Sequence, residues 1–429
     1  MVLDDDPTGT QAATDVTVLL HIDAQALTEA LREADSVYIQ TNSRALSEDD
    51  AVALVREIRA HVEDTAARLD VRIHIVLRGD STLRGHVVAE SREIGGDDAV
   101  MVFAPAFPEG GRVTRAGVHH LRVREALVPI DETEYARDPV FGFGTSDLVA
   151  FIRERSRSDV VCVRVPLDVV REGGTRRAIL DAPAGSVVLP DAETDEDIAA
   201  IAAGVEGAWN RRSVIVRSAA PLAARLAGVV SVGRLDPSTL RKEGSTLVVC
   251  GSHTGGAGEQ VARLAALVGA PTVIDSARAV RDPHAEGERA AAEEIERRRP
   301  GSVRFLATER ERRDDHGGLD HGAAVMQALV TAARCLVDHE VTTVVTKGGI
   351  TSADVIGRSL GAREARVLGQ VRPGVSVWRV SRSGLDPSRA SVDGFLDCVI
   401  VPGNMGDPEI LVDAVAWTER VRAQTERSV

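Results

Sequence analysis

Residues 342–354 read TTVVTKGGITSAD, and this stretch contains the unit from which the chain is built. A short β-branched run ends at a Gly-Gly turn, and a helical pattern follows the turn. Several of the corresponding runs along the chain are continuously apolar, which is typical of strands that are buried on both faces of a parallel sheet. Strand, turn and helix repeated along a chain predict an α/β fold with right-handed crossovers.

The same alternation continues on both sides of this stretch. The predicted strands are Val16–Leu20, Ser36–Thr41, Arg72–Leu77, Val100–Ala104, Val160–Val165, Ser186–Leu189, Ser213–Arg217, Thr246–Cys250, Thr272–Asp275, Val303–Ala307, Thr342–Thr346, Val375–Val380 and Asp397–Val401. The predicted helices are Ser47–Leu69, Ala192–Asn210, Gly256–Leu267, His321–His339 and Pro408–Arg422. At roughly 100–200 residues per domain, a chain of 429 residues is long enough for two or three domains.

The strand and helix series is interrupted once, at Gly233–Gly244, which reads GRLDPSTLRKEG. This segment is rich in glycine, proline and charge, and a second series begins directly after it with TLVVCGS. We therefore predict two α/β domains with largely parallel sheets, an N-terminal domain over residues 1–235 and a C-terminal domain over residues 245–429.

Composition and charge argue against several classes of protein. The formal net charge is −14, which disfavours a nucleic-acid surface and binding to an anionic membrane. No apolar run approaches the roughly 18–20 residues of a membrane-spanning helix. The start, MVLDDDPTGTQ, lacks the basic and long apolar segments of a secretory signal. The four cysteines are far apart, which is typical of reduced thiols, so we expect a cytoplasmic protein. Self-association into a homo-oligomer is left open.

Three polar segments in the first half either follow predicted strands or end the short apolar start. Residues 4–10 read DDDPTGT, residues 41–44 read TNSR, and residues 78–86 read RGDSTLRGH. Open α/β sheets bind ligands at the carboxyl ends of their strands. Carboxylates there can accept protons from the hydroxyls of a substrate or bind a hydrated cation, and arginines can pair with a carboxylate. These segments therefore predict a site for a small, acidic, hydroxylated molecule, and capped turns between strand and helix are the alternative for each.

A proline-rich loop, FAPAFP at residues 103–108, is followed by Gly110–Gly111–Arg112. This loop either closes the cleft that holds the predicted site or serves only as a rigid loop.

Three glycine-rich turns in the second half also lie between a strand and a helix. They read CGSHTGG at residues 250–256, TKGGITSAD at residues 346–354 and PGNMGD at residues 402–407. Glycines and hydroxyls at the start of a helix form an anion cradle. Lys347 is notable because only it and Lys242 are lysines in a chain whose other basic residues are arginines. These turns predict a phosphate or nucleotide site, and plain structural turns are the alternative.

Taken in order, DDPTGTQ, TNSR, RGDSTLRGH, FAPAFPEGGR, CGSHTGG, KGGIT and PGNMGD resemble the four-carbon acid sugar kinase family, which includes D-threonate, D-erythronate and 3-oxo-tetronate kinases. The resemblance extends from Asp4 to about Ala414. It implies an N-terminal acid-sugar domain, a C-terminal nucleotide domain and an active site in the cleft between them. It also implies an ATP-dependent sugar-acid kinase, with ATP and Mg²⁺ as cofactors and a hydroxyl of a four-carbon sugar acid as the acceptor.

The resemblance assigns residues to each function. The substrate-binding positions are Asp6, Arg44, Asp80, Ser81, Thr82 and Leu83, and the residues themselves add Arg84 as a second arginine for the carboxylate. The nucleotide-binding positions are Ser252, Gly348, Gly349, Ile350, Thr351 and Gly403, to which Lys347 is added as a phosphate contact. Asp80 is the expected general base and Asp6 is its rival. The sequence does not identify the ligands of the magnesium ion.

The chain departs from the family pattern at two places. Arg78–Gly79 stands where many members have lysines, and Ile350 stands where many have an acidic residue. Two other functions therefore stay open. A nucleotide-dependent oxidoreductase requires a GxGxxG turn with an acid about 20 residues later, which the sequence lacks. A non-catalytic ligand-binding relative is the other alternative, because Ile350 removes a carboxylate.

Overall fold

The computed structural model describes residues 1–156, 159–231, 233–236, 239–240, 244–252, 255–297, 302–309, 319–337, 341–381, 394–403 and 407–426. The chain divides into two compact units, Met1–Val232 and Gly233–Val429. The predicted α/β class is confirmed in both units. Among the described residues, no helix is long and apolar enough to cross a membrane.

The first unit is built on an all-parallel sheet. Its strands, with those of a smaller sheet, are β1 Val2–Asp4, β2 Val16–Leu19, β3 Val37–Gln40, β4 Val76–Arg78, β5 Val100–Ala104, β6 Arg112–Arg115, β7 Val118–Val123, β8 Ala126–Pro129, β9 Cys162–Val165, β10 Val187–Pro190 and β11 Val214–Ser218. The main sheet has the order β2-β3-β1-β4-β11-β5-β10-β9, with every neighbouring pair parallel. The strand from the start of the chain therefore lies inside the sheet, between β3 and β4.

Helices cover this sheet. They are α1 Ala24–Glu33, α2 Glu48–Leu69, α3 Val87–Gly95, α4 Leu148–Arg155, α5 Leu167–Arg171, α6 Thr175–Asp181, α7 Asp195–Trp209 and α8 Ala220–Leu226. Short polar side chains set where several of them begin: Ser47 accepts a hydrogen bond from the amide of Asp50, and Thr194 and Asp197 form a reciprocal capping box. The apolar face of α2, with Val55, Ile58 and Val62, is buried in the core.

The smaller sheet, β6-β7-β8, is antiparallel. It is joined to the carboxyl end of β10 by a buried carboxylate, because Asp191 accepts hydrogen bonds of 2.9 Å from the amides of Ala116 and Gly117. Thr114 and Ala192 exchange two backbone hydrogen bonds beside it. The sequence analysis did not predict this sheet. Its strands mix histidine, arginine and proline with apolar residues, so they lack the continuous apolar runs that indicate buried parallel strands.

The second unit has a mixed sheet. Its strands are β12 Ser245–Cys250, β13 Thr272–Ile274, β14 Arg304–Thr308, β15 Val341–Lys347, β16 Glu364–Arg372, β17 Val375–Ser381 and β18 Phe395–Val401. The order is β13-β14-β12-β15-β18-β17-β16; the first five strands are parallel, and β17 is antiparallel to both of its neighbours. The helices are α9 Gly255–Val268, α10 Ser276–Arg281, α11 Pro283–Arg297, α12 Leu319–Val337, α13 Gly349–Asp354 and α14 Ile410–Glu426, and a π-helical turn, Val355–Ser359, follows α13.

Helix α11 is attached to this sheet by a buried carboxylate. Glu294 is fully buried, accepts a hydrogen bond of 2.7 Å from the Thr272 hydroxyl of β13 and accepts another of 2.8 Å from the Phe305 amide of β14. A buried carboxylate is tolerated when such donors replace its water. Glu294 therefore fixes the helix and two strands relative to one another.

We expect Glu294→Ala to destabilise the second unit by about 3 kcal/mol, because it leaves a buried amide and a buried hydroxyl without their acceptor. Glu296→Ala is the matched control, since Glu296 is exposed on the same helix. Urea unfolding followed by circular dichroism measures both variants. Equal unfolding midpoints for the two variants would contradict the assigned role of Glu294.

Candidate functional site

The polar segments of the first unit meet at one edge of its sheet. Strands β3, β1, β4, β11 and β5 are consecutive neighbours and parallel, so their carboxyl ends lie side by side. Residues 4–6, 41–44, 78–86 and 217–218 all lie at these ends. Sequence reasoning placed three of these segments in one site, and the structure brings them together.

Arg78 is the centre of this edge. Its side chain is 2% exposed, and Nη1 lies 3.0 Å from Oδ1 of Asp4, 3.2 Å from Oδ1 of Asp5 and 3.5 Å from Oδ1 of Asp6. The three acids are also buried. An unpaired buried carboxylate costs several kcal/mol, so one guanidinium that faces three of them is a condition for this strand end to fold. Even so, burial raises the pKa of Asp4 to about 7.

A second buried arginine stands behind the first. Arg217, on β11, pairs with Glu90 of α3, and its Nη2 lies 3.5 Å from Oδ2 of Asp5. Its guanidinium passes so close to Gly79 that a Cβ there would lie 2.6 Å from Nε. Gly79 is therefore required, because a side chain at this position would collide with the Arg217 guanidinium, which lies at the start of the 80–86 segment.

Asp6 and Asp80 are the two carboxylates next to the accessible part of the edge, and Arg44 joins them. Nη2 of Arg44 pairs with Oδ2 of Asp6, and Nη1 lies 3.4 Å from Oδ2 of Asp80. Asp6 also caps a short 3₁₀ helix at residues 7–12 by accepting a hydrogen bond of 2.7 Å from the amide of Thr8. The Arg44 side chain is 12% exposed, so it is partly reachable from solvent.

Asp80 is paired a second time, with Arg84. Nε of Arg84 donates a hydrogen bond of 2.7 Å to Oδ2 of Asp80, and the Thr82 hydroxyl donates another. Burial alone raises the pKa of Asp80, but the guanidiniums of Arg84 and Arg44 and the Thr82 hydroxyl outweigh it and hold that pKa well below the usual range. Asp6, Arg44, Asp80 and Arg84 thus form a chain of alternating charge, which we call the charge chain.

Arg84 is held in place from its other side by an aromatic ring and an acid. Its guanidinium carbon lies 5.1 Å from the centre of the Tyr135 ring, and Nη1 lies 3.6 Å from Oδ2 of Asp138. The side chain is 20% exposed. Cation–π contact and ion pairing together fix the direction of the guanidinium.

The backbone of the 80–84 segment is under constraint. Leu83 has a φ of 68°, in the left-handed region that a branched side chain rarely adopts, and its side chain is buried in the apolar core of the unit. The amide of Leu83 donates to the carbonyl of Asp80. Ser81 and Thr82 are buried as well. Leu83 therefore anchors the loop in the core of the unit.

His119 is a residue near this site that the sequence analysis missed. Fully buried on β7, it places Nε2 2.9 Å from the carbonyl of Ser81 and Nδ1 3.0 Å from the hydroxyl of Thr114. Burial lowers the pKa of His119 to about 4, so the imidazole is neutral at pH 7. Because a carbonyl only accepts, Nε2 carries the proton and the Thr114 hydroxyl donates to Nδ1. The sequence shows two adjacent histidines in VHHLRV, but nothing in it links His119 to Ser81, which lies 38 positions away.

The glycine-rich turns of the second unit also converge. They follow β12, β15 and β18, which are neighbouring parallel strands. A Cβ on Gly403 would lie 3.4 Å from Oγ of Ser252 and 3.5 Å from Cα of Gly348, and a Cβ on Gly251 would lie 2.3 Å from Oγ1 of Thr351. Gly348 has a φ of 109°, which explains a glycine there. Ser252, Gly348, Thr351 and Gly403 are therefore brought together, and Gly349 begins α13.

Lys347 and Ile350 are placed differently from one another. Lys347 is fully buried, and Nζ donates a hydrogen bond of 2.6 Å to the carbonyl of Pro402. Burial lowers the pKa of Lys347 to about 8. The ammonium thus connects the turn after β15 to the turn after β18. Ile350 is 42% exposed at the start of α13.

Parts of the predicted nucleotide turns, and the second lysine, lie outside the described residues: Lys242, His253, Thr254, Asn404, Met405 and Gly406. Within the described part of the chain, no group of three or more histidine, cysteine, aspartate or glutamate side chains could hold a metal ion. The clustered acids of the first unit are consistent with this result, because Oδ1 of each of the three acids Asp4, Asp5 and Asp6 faces the Arg78 guanidinium.

Comparison with known proteins agrees with the two-unit organisation. A family model described as a sugar-binding N-terminal domain matches residues 1–226, and one described as a nucleotide-binding C-terminal domain matches residues 247–411. Two solved structures, from Salmonella typhimurium and Haemophilus influenzae, have the same fold. The first has a TM-score of 0.67 and 19% identity, with 96% of this chain and 98% of that one covered. The second has a TM-score of 0.61 and 17% identity, with 97% and 99% covered.

Curated relatives carry kinase names. A D-threonate kinase from Bordetella bronchiseptica is 30% identical over 341 residues, which covers 78% of this chain and 75% of the relative. A D-threonate kinase from Cupriavidus necator is 28% identical, with 69% and 70% covered. A D-erythronate kinase from Heliobacterium modesticaldum is 33% identical over 136 residues, with 30% and 29% covered. With both domain models matched in order and these relatives, the chain belongs to the four-carbon acid sugar kinase family.

Proposed function

We propose that this protein transfers the γ-phosphate of ATP to a hydroxyl of a four-carbon sugar acid of the threonate, erythronate or oxo-tetronate type. The observation that carries the proposal is the charge chain Asp6–Arg44–Asp80–Arg84 at the edge of a domain that matches a sugar-binding family model. Carboxylates that stay ionised accept hydrogen bonds from sugar hydroxyls, and guanidiniums bind the acid group.

The electrostatics of the charge chain suit a hydroxylated anion. The whole protein carries a net charge of −14, which by itself repels such a ligand. Within the charge chain, two guanidiniums balance two carboxylates, so an incoming carboxylate meets a locally neutral site that can rearrange its pairs. Arg44 and Arg84 are our candidates for the carboxylate, and Asp6, Asp80 and Thr82 for hydroxyls.

The same electrostatics shape the proposed catalytic roles. Two guanidiniums make Asp80 a weak base, because a lowered pKa lowers basicity. Phosphoryl transfer has a loose transition state in which alignment dominates and proton removal comes late. We therefore assign Asp80 to orienting the attacking hydroxyl and accepting its proton late, with Asp6 as the other candidate.

For the nucleotide, we propose the converging turns of the second unit. Ser252, Gly348, Gly349, Ile350, Thr351 and Gly403 would contact ATP through backbone amides, hydroxyls and the exposed Ile350 side chain, while Lys347 would act through the Pro402 carbonyl that it holds. The acids of the first unit are already paired with arginines and do not form a separate metal site, so Mg²⁺ fits best as a ligand of the ATP phosphates. There it would neutralise phosphate charge.

The proposal also covers the setting of the reaction. All four cysteines are described, and no disulfide joins any of them, which supports a reducing compartment such as the cytoplasm. The partners proposed are the sugar acid and ATP, with no nucleic acid or membrane and with self-association left open.

The overall test is ADP release with a panel of four-carbon sugar acids, each paired with the neutral polyol of the same stereochemistry. We expect turnover with at least one acid and far less with its polyol. If none of the acids in the panel supports ADP release, the proposed function is contradicted.

Arg44→Lys should raise KM for the sugar acid at least about tenfold. A lysine ammonium cannot pair with both Asp6 and Asp80 and also bind the substrate carboxylate through two parallel hydrogen bonds. Arg56→Lys is the control, since Arg56 pairs with Glu93 at the surface. Steady-state kinetics with ATP saturating measure both. An unchanged KM for every active acid would remove Arg44 from the substrate site.

Asp80→Asn should lower kcat by about 100-fold with a nearly constant KM, the low end of general-base effects. Because its carboxyl is already ionised far below neutral pH, the wild-type kcat profile should show no inflection from Asp80 between pH 5 and pH 8. Asp64→Asn is the control, because Asp64 pairs with Arg68 at the surface of α2. If Asp6→Asn abolishes turnover while Asp80→Asn barely changes it, the role belongs to Asp6.

Lys347→Met should weaken ATP binding at least about tenfold and leave binding of the sugar acid within twofold, because it releases the Pro402 carbonyl in the second unit only. Arg263→Met, a surface change on α9, is the control. Isothermal calorimetry with each ligand separately measures the two affinities. Wild-type ATP affinity in Lys347→Met would show that Lys347 is only a packing residue.

A further inference from the structure

The 80–84 segment receives a contact from an element that has no assigned role, the small sheet β6-β7-β8. His119 of β7 donates from Nε2 to the carbonyl of Ser81, and this bond spans 38 positions of sequence. Both groups are buried, so no water replaces the bond when it breaks. The peptide that joins Ser81 to Thr82 is thereby fixed in direction, directly after Asp80.

The histidine is itself held rigidly. Its Nδ1 accepts from the Thr114 hydroxyl of β6, and its backbone amide donates to the Ser146 carbonyl at 2.8 Å. The β6-β7 turn is fixed by the Asp191 carboxylate at the end of β10. A continuous set of hydrogen bonds therefore runs from the main sheet through β6 and β7 back to the 80–84 segment.

The segment has a reason to need such support. Leu83 is held at a positive φ, which costs free energy that the surrounding structure must offset. Nearby, Asp80 is attracted by guanidiniums on two sides, Arg44 and Arg84. Without a fixed peptide beside it, the carboxylate would follow whichever arginine moves when an anion enters the charge chain.

We propose that His119 is a positioning residue for the sugar-acid site: the small sheet, acting through the His119–Ser81 hydrogen bond, holds the 80–84 backbone and the Asp80 carboxylate in the orientation that the acceptor hydroxyl requires. This inference rests on the proposed function for its kinetic consequence. Its structural content, the restraint on residues 80–84, is independent of that function.

Three variants test the proposal. His119→Leu removes both hydrogen bonds; His119→Gln keeps a donor at about the position of Nε2. Thr65→Ala is the control, because Thr65 lies on α2 of the same unit, and its buried hydroxyl faces that of Thr28 on α1 rather than the charge chain. Amide hydrogen exchange of peptides that cover residues 79–86 is the first measurement, and steady-state kinetics with the sugar acid and ATP are the second.

We expect His119→Leu to speed exchange in these peptides about tenfold and to lower kcat/KM for the sugar acid at least tenfold, with KM for ATP within twofold. His119→Gln should recover most of both effects, and Thr65→Ala should show neither. If His119→Leu does not fold, Thr114→Val replaces it and should speed exchange in the same peptides about threefold.

Unchanged exchange at residues 79–86 in the leucine variant, or in Thr114→Val if it stands in, would overturn the proposal, as would an equal effect in Thr65→Ala. A glutamine variant as impaired as the leucine variant would also overturn it, because the donor would then not be what matters. If the wild-type protein phosphorylates no four-carbon acid, the proposed function fails, and the exchange measurement still decides the role of His119.

Discussion

The first unit depends on one interaction, the contact of the Arg78 guanidinium with the three successive acids at the end of β1. These acids lie at the centre of a parallel sheet, where water does not reach them. Three buried carboxylates next to one another repel and are poorly solvated, so the sheet edge can form only with a cation among them. Once Arg78 occupies their inner side, Asp6 is left facing outward, toward Arg44.

The rest of the candidate site is built outward from Arg78 and these acids as further ion pairs. Arg217 and Glu90 complete the fully buried pairs, and in the charge chain the partly exposed members are Arg44 and Arg84. The buried pairs hold the strand ends together, and the two partly exposed arginines are the members that we propose an anion contacts. This arrangement would let a strongly acidic protein hold the acidic ligand that we propose.

The sequence predicted the α/β class, most strands and the strand ends that carry the site, because buried parallel strands produce continuous apolar runs and ligands collect where those runs end. It did not predict β1, β16 or the small sheet, whose short or mixed strands have no such run, and it began β4 too early, since the structure starts that strand at Val76. Arg78 was predicted only as the start of a polar segment and Arg217 only as the end of a strand, and their burial could not be seen because their partners are distant in sequence. His119 was missed for the same reason. The roles of the individual site residues stay predictions.

The position of β1 has a consequence for how the first unit is made. A ribosome synthesises this strand before either of its neighbours, β3 and β4, and Arg78 lies at the end of the second. Until Arg78 is added, the three adjacent acids lack the guanidinium that all of them face in the folded unit, and their charge keeps the segment hydrated and discourages pairing with a wrong strand. The acids at the end of β1 thus disfavour early pairing of this strand, and the arrival of Arg78 allows this part of the sheet to close.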